Sequence, residues 1–284
     1  MPTKNKINTF LYYVLYPVHI TVWLGVASWW YFFDFSLFNL LCLIFGWILI
    51  EGIGVAVVLH RYVSHKAFIE HRGIKPILLW LASISLQGSP LGWAAIHRGS
   101  HHKYADTDKD AHTPTKGWFY SWHMWLHDWD QYFNPKFVID LLRDPMHIWF
   151  AKYYIHIIVV TYIIVGVVSW ELLFWGFMVP AVISLYQESN INLFCHSSKF
   201  KFGYRNFNTK DDSRNITALA WITWGQGWHN NHHEKASSYD FGTTVSGKTT
   251  EFDTSLILLP LVATKASREK IYKERNITSN DVIS

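Results

Sequence analysis

Residues 224–233 read WGQGWHNNHH, an adjacent His-His pair with a third histidine just upstream, and the same arrangement recurs as HRGSHH at residues 97–102. Two further pieces carry histidines beside apolar runs, HRYVSH at 60–65 and NLFCH at 192–196. Nine of the 16 histidines fall in these pieces: His60 and His65; His97, His101 and His102; His196; His229, His232 and His233. On a helix, spacings of three and four return to one face, so His229 with His232 and His233, or His97 with His101, can aim imidazoles at one spot. His60 and His65 are five apart and diverge on a regular helix; they are expected where an apolar span opens its last turn. Neutral imidazole is a good ligand for iron, zinc, copper or nickel, and an all-imidazole shell leaves the ion electron-poor. Nine such ligands are too many for one ion and suit two, at about four or five each. Two redox metals can share the electrons that cleave O₂, which zinc cannot supply. His19, His123, His127, His147 and His156 stand alone and read as interfacial or hydrogen-bonded residues.

Outward from these pieces, the chain of 284 residues is 50% hydrophobic, 18% aromatic and 16% charged, too apolar for an average soluble domain. Mean hydropathy is only +0.07, so the apolar residues must be gathered in blocks. Four runs are long enough to cross a bilayer, about 10–33, 37–59, 153–170 and 172–194. The expected architecture is an all-α integral membrane protein, a single domain over 1–284. Four transmembrane helices carry a cytosolic helical cap, 60–150 and 196–284, that holds a di-metal centre. Lysine and arginine are missing from the turns after the first and third runs and abundant at Lys4, Lys6, Arg61, Lys66, Arg72 and beyond Lys199. By the positive-inside rule both termini and both long loops are cytoplasmic, with Trp29, Trp30, Trp170 and Trp175 at the outer interface. All four histidine pieces must meet on one side. The run 74–96, broken by Gln87, Gly88, Ser89, Pro90 and Gly92 and too short to cross twice, is therefore expected to lie along or dip into the interface.

The net charge of +4 favours anionic headgroups, nucleotide-bearing substrates or acidic electron carriers as partners, and nothing in the pattern points to nucleic acid. Cys42 and Cys195 form no CxxC pair, so neither a disulfide nor a thiolate metal site is expected. Asn215-Ile-Thr and Asn276-Ile-Thr match the glycosylation pattern, which a cytoplasmic position would make accidental.

HRYVSH, HRGSHHKYADTDKDAH at 97–112, NLFCH, FGYRNFNTKDDSRN at 202–215 and WGQGWHNNHH, in this order, closely resemble the membrane-bound fatty acyl desaturases, above all the stearoyl-type Δ9 branch. The resemblance covers roughly residues 50–260. It implies a nine-histidine di-iron centre, with Asn192 holding a metal-bound water, and insertion of a cis double bond into an acyl-CoA or acyl-lipid chain. Asn192 lies four residues before His196, on the same helical face. Gln226 stands where the family usually has Glu, and three residues rather than the Δ9 branch's two separate His97 from His101.

An unactivated methylene offers neither an acidic proton nor a leaving group, so hydrogen must be abstracted by an oxidising metal centre, here two Fe ions with O₂ as co-substrate. The protein must hold the acyl chain in a dry slot. Candidate walls are Trp118, Phe119, Trp122 and Trp125, with Trp149, Trp224 and Trp228; Lys103, Lys116, Arg205 and Arg214 are candidate contacts for a phosphate-bearing headgroup. Asp106, Asp108, Asp110 and His112 read as a hydrogen-bonding belt behind HRGSHH. Glu51, inside the second span, requires an interior partner. No haem, iron-sulfur or nucleotide motif occurs, so electrons are expected from a separate ferredoxin or b-type cytochrome. An alkyl hydroxylase would share the histidines and differ in its product, an alcohol. A metal transporter or storage protein would place its ligands within the spans.

Overall fold

The computed structural model describes residues 14–32, 34–128, 132–197, 199–200, 202–242 and 251–275. Residues 10–13 of the first expected span, Lys4, Lys6, the Trp30 side chain and Asn276 lie outside that set. The described residues are helical apart from loops and isolated bridges. The first helix, α1, is Tyr16–Phe32. Ser36 ends the connection after it, its hydroxyl accepting from the Asn39 N–H while Asn39 reaches back to the Ser36 N–H, and so starts the long helix α2, Leu37–Ser64. From Ile48 to Ser64, α2 winds in wide turns with i→i+5 bonding.

The apolar run 74–96 is split in two. Helix α3, Lys75–Ile84, and helix α4, Pro90–Ile96, are separated by a turn in which Leu86 and Gly88 take positive φ, and both pack on the wide-turn half of α2. At about 1.5 Å of rise per residue neither reaches across a hydrocarbon core. The chain then passes through α5, Trp118–Trp122, to α6, Pro145–Lys152, and α7, Tyr154–Val168, which are bent by 67° about Tyr153. A helix that begins at Trp170 ends in α8, Val179–Phe194. After it come α9, Thr217–Ile222, α10, His229–Glu234, and α11, Lys265–Glu274.

Among the described residues α2 is the one helix long and apolar enough to cross a membrane; α6 and α7 pass that test only as a bent pair. At the crossing of α2 with the helix before α8, a Cβ on Gly46 would lie 2.1 Å from the Gly176 carbonyl oxygen, so only glycine permits that approach. Trp29 packs its ring on Trp170, Phe174 and Trp175 at 4.9–5.7 Å, joining α1 to the start of the α8 helix. Ile20, Trp23 and Leu24 on α1, Leu41, Ile44 and Phe45 on α2, and Ile163, Ile164, Val167 and Val168 on α7 are exposed. Exposed apolar faces of this kind mark a surface that contacts a membrane or another protein.

Candidate metal centre and acyl cavity

Two groups of imidazoles form the site. His60, His65, His97, His102 and His232 make one, and His101, His196, His229 and His233 the other; within each group the ligand atoms lie within 4.8 Å of one another. The wide turns of α2 solve the spacing of five. With i→i+5 bonding, His60 and His65 come onto one face, ring centroids 5.2 Å apart. The same winding at His97–His101 changes the expected pairing. His97 meets His102, Nε2 to Nε2 at 3.0 Å, and His101 is directed to the other group. On α10, ordinary helical spacing holds His229 against His233 at 3.1 Å, while His232 turns to His60 at 2.8 Å and His102 at 2.9 Å.

Polar side chains fix α10 and the ends of the helices around it. Asn215 Oδ1 accepts from the Asn230 and Asn231 N–H groups, so the first glycosylation-like asparagine is a buried brace of the histidine helix. Arg98, beside His97, donates to the Val63 and Ser64 carbonyls that end α2 and to Asp140, tying His65 to His97.

The second ring nitrogens point outward to partners. His196 Nδ1 faces Asp106 at 3.2 Å, His101 Nδ1 faces Asp110 at 3.4 Å, His233 Nδ1 faces Asp211 at 2.8 Å, and His229 Nδ1 faces the Gln226 carbonyl at 3.3 Å. Each partner is an acceptor, so each Nδ1 carries the proton and each Nε2 a lone pair. Four lone pairs then converge, His229 on His196 at 2.8 Å and His233 on His101 at 3.2 Å. That is repulsive unless a cation lies among them, so the donor set fits a metal ion. In the five-histidine group His60 follows the same rule, its Nδ1 held by Gln226 Oε1 at 2.6 Å.

Burial lowers the pKa of His97, His101, His102, His229 and His232 well below the usual imidazole range, and that of His65 to about 3. These rings are neutral at pH 7 and available as ligands. His196 differs. Burial alone would lower it, but the Asp106 carboxylate raises it above the ordinary value. Burial also opposes ionisation of Asp211, yet the His233 hydrogen bond and charge hold its carboxyl far below the usual carboxylate range.

A cavity of about 540 Å³ opens on these histidines, lined by His60, His97, His101 and His229 together with Leu15, Leu86, Trp93, Leu126, Phe133, Tyr154 and Leu185. Asn192 also lines it, as do Trp125, Lys152, His156 and Glu188. The other expected wall and headgroup residues are elsewhere. Trp118, Phe119 and Trp149 are exposed; Trp122 donates to Asn190, and buried Trp228 to the Phe252 carbonyl. Trp224 packs on Trp47, and exposed Lys116 donates to Tyr132. The Lys103 ammonium lies over the Tyr104 and Phe137 rings; Arg205 binds the loop carbonyls of Thr209 and Asp211, and the Arg214 N–H bonds the Cys195 carbonyl.

Glu51 has its interior partners. It accepts from Ser184 at 2.5 Å and from the Gln226 amide at 3.1 Å, and the same amide donates to Glu188. Gln226 therefore joins two carboxyls, on α2 and α8, to a histidine of the site, which glutamate with its two acceptor oxygens could not do unless protonated. Sequence reasoning missed Asp211, Arg98 and Glu188. The Asp211-Asp212 pair preceding the histidine helix was the available signal for the first.

Residues 34–237 match the family model described as fatty acid desaturase. The chain is 32% identical over 185 residues to the sn-1 stearoyl-lipid 9-desaturase of Anabaena variabilis, covering 64% of this chain and 66% of that protein. It is 30% identical over 218 residues to the sn-2 palmitoyl-lipid 9-desaturase of Nostoc sp. (strain 36), covering 74% and 73%. Delta-9 acyl-lipid desaturase 2 of Arabidopsis thaliana is 31% identical over 199 residues, 66% and 62%. The match thus spans just under two thirds of the first of these relatives. With nine imidazoles gathered in two groups and a family match over most of its length, the chain belongs to the fatty acid desaturase family.

Proposed function

We propose that the protein is an O₂-dependent desaturase that inserts a cis double bond, at Δ9, into a long-chain fatty acyl substrate. The observation that carries this reading is the convergence of nine imidazoles, in groups of five and four, on an apolar cavity. His60, His65, His97, His102 and His232 would hold one iron and His101, His196, His229 and His233 the other, with Asn192 placing a water. Bound there, the iron pair supplies the oxidising power that removes hydrogen from an unactivated methylene.

The chain's own groups do the rest. Asp106, Asp110 and Asp211 hold the Nδ1 protons of His196, His101 and His233, and the Gln226 carbonyl that of His229, so that the ligand lone pairs face inward without reorganising. Leu86, Trp93, Leu126 and Leu185 wall the cavity with carbon, which keeps water from the reacting carbons and holds an extended acyl chain against the histidines. Four membrane spans, a cytosolic cap built from 60–150 and 196–284, and cytoplasmic termini complete the proposal. The exposed apolar faces of α1, α2 and α7 support a bilayer as surrounding solvent. Electrons would come from a ferredoxin or b-type cytochrome.

The test is expression in a host without its own desaturase, followed by chromatography of total fatty acids. Monounsaturated chains are expected from the wild type, and none from His232→Ala, which stays membrane-inserted. Alcohols instead of alkenes would replace this reading by hydroxylation, and an active His232→Ala protein would remove the ligand assignment.

A further inference from the structure

Of the residues lining the cavity, two are exposed, Lys152 and His156. They sit four residues apart on either side of the 67° bend between α6 and α7, so the bend sets two basic side chains at the cavity mouth. Among the described residues the Lys152 ammonium pairs with no carboxylate; it lies 5.1 Å from the centre of the Tyr153 ring. An unpaired cation at the entrance of a largely apolar chamber favours a ligand whose polar end is an anion.

The surroundings narrow the ligand further. Ile148, Trp149, Val159 and Val160, on the same two helices, are all exposed. Such a rim matches the boundary between acyl chains and headgroups, where tryptophan settles and lysine extends its charge toward phosphate. A soluble carrier with a multiply phosphorylated nucleotide would require several cations on a polar surface. Lys103 and Arg205, the cations expected for that role, are held by aromatic rings and loop carbonyls away from the cavity.

The geometry points to a membrane glycerolipid with an anionic phosphate headgroup as the substrate, its phosphate bound by Lys152 with His156 beside it while its acyl chain enters the cavity from the bilayer. This rests on the desaturase reading and adds a preference among headgroups. It makes Lys152 a specificity residue that is not itself one of the candidate metal ligands.

The experiment uses the full chain in a bacterial host lacking desaturases, with a short induction and separate acyl analysis of phosphatidylglycerol, phosphatidylethanolamine and acyl-CoA. New double bonds are expected first in phosphatidylglycerol. Lys152→Glu should cut that early product about tenfold, since a headgroup of net negative charge then meets a like charge, while the product from phosphatidylethanolamine, whose own ammonium offsets its phosphate, should fall much less. Lys152→Arg should restore the preference, and Lys152→Ala should fall between, which separates charge from misfolding. Double bonds appearing first in acyl-CoA, or equally in both lipids with no response to Lys152→Glu, would overturn the inference and leave the desaturase reading intact. Absence of unsaturated product from the wild type would overturn both.

Discussion

Asp211→Asn is a change of one atom whose consequence can be worked out from the hydrogen bonds around it. Asp211 Oδ2 faces His233 Nδ1 at 2.8 Å, while its Oδ1 accepts from the Thr209 hydroxyl at 2.8 Å and the Ser213 N–H at 3.0 Å. Two donors at Oδ1 leave an asparagine one comfortable orientation, with its oxygen toward Thr209 and Ser213 and its NH₂ toward His233. His233 Nδ1 must then accept rather than donate, so the proton moves to Nε2, where the lone pair was directed at His101 and His229. The variant therefore removes a charge-assisted hydrogen bond, about 1.5–3 kcal/mol, and presents the wrong tautomer as well. The affinity of the four-histidine group for metal should fall about 10- to 100-fold, as for other changes just behind a ligand. Iron per chain, measured on purified membrane protein equilibrated with a competing chelator, should drop from two toward one. Asp108→Asn, an exposed aspartate of the acidic stretch behind HRGSHH, should keep both. Asp211→Ala should lose less than Asp211→Asn, because it leaves His233 free to choose its tautomer. A folded Asp211→Asn protein with unchanged iron content and affinity would refute the tautomer argument.

Three further outcomes follow from packing and charge. The Asp140 carboxyl is raised by burial but lowered more by Lys66 and Arg98, to about 2. Its folded value lies below the unfolded one of 3.8, so this stabilisation is present above about pH 4 and lost as pH falls toward 2; in Asp140→Asn acid unfolding should lose that component. Gly46→Val must separate α2 from Gly176 and should lower the unfolding free energy by about 1–3 kcal/mol or more in a detergent melt; an unchanged melt would contradict the crossing. Arg61→Met leaves Asp253 buried without its partner, so a loss of about 3–5 kcal/mol is expected, and the double change with Asp253→Leu should recover much of it.

What was legible in the sequence was the chemistry of single residue types at short spacing. HNNHH and HRGSHH announce imidazoles on one helical face, and all nine expected histidines do lie in the two groups. Their division was hidden, because it depends on winding. An i→i+5 turn at His97–His101 exchanges which neighbour His97 meets, and no local pattern distinguishes it from an ordinary helix. The aromatic residues proposed as walls show a second limit. Trp118, Phe119 and Trp149 are as apolar as Leu86, Leu126 and Tyr154, yet only the latter three face the cavity. Which side of a short helix faces inward is decided by its tertiary neighbours, and a run of adjacent aromatics carries no periodicity to reveal it.

The same dependence on winding explains how the apolar helix α2 and the polar segment around α10 can share one site. Had α2 continued as a regular helix to Ser64, His60 and His65 would have pointed apart, and one of them would have faced away from the site. The wide turns put the two histidines together and also place Glu51, nine residues before His60, within reach of Gln226 from the cap. Gln226 in turn positions His60 through its oxygen and, through its backbone carbonyl, His229 of the other group. One glutamine therefore sets the ring orientation of a histidine in each group, while Glu51 on α2 and Glu188 on α8 fix its amide. A displacement of α2 relative to α8 would be felt at both groups at once, which ties the packing of these two helices to the geometry of the candidate metal centre.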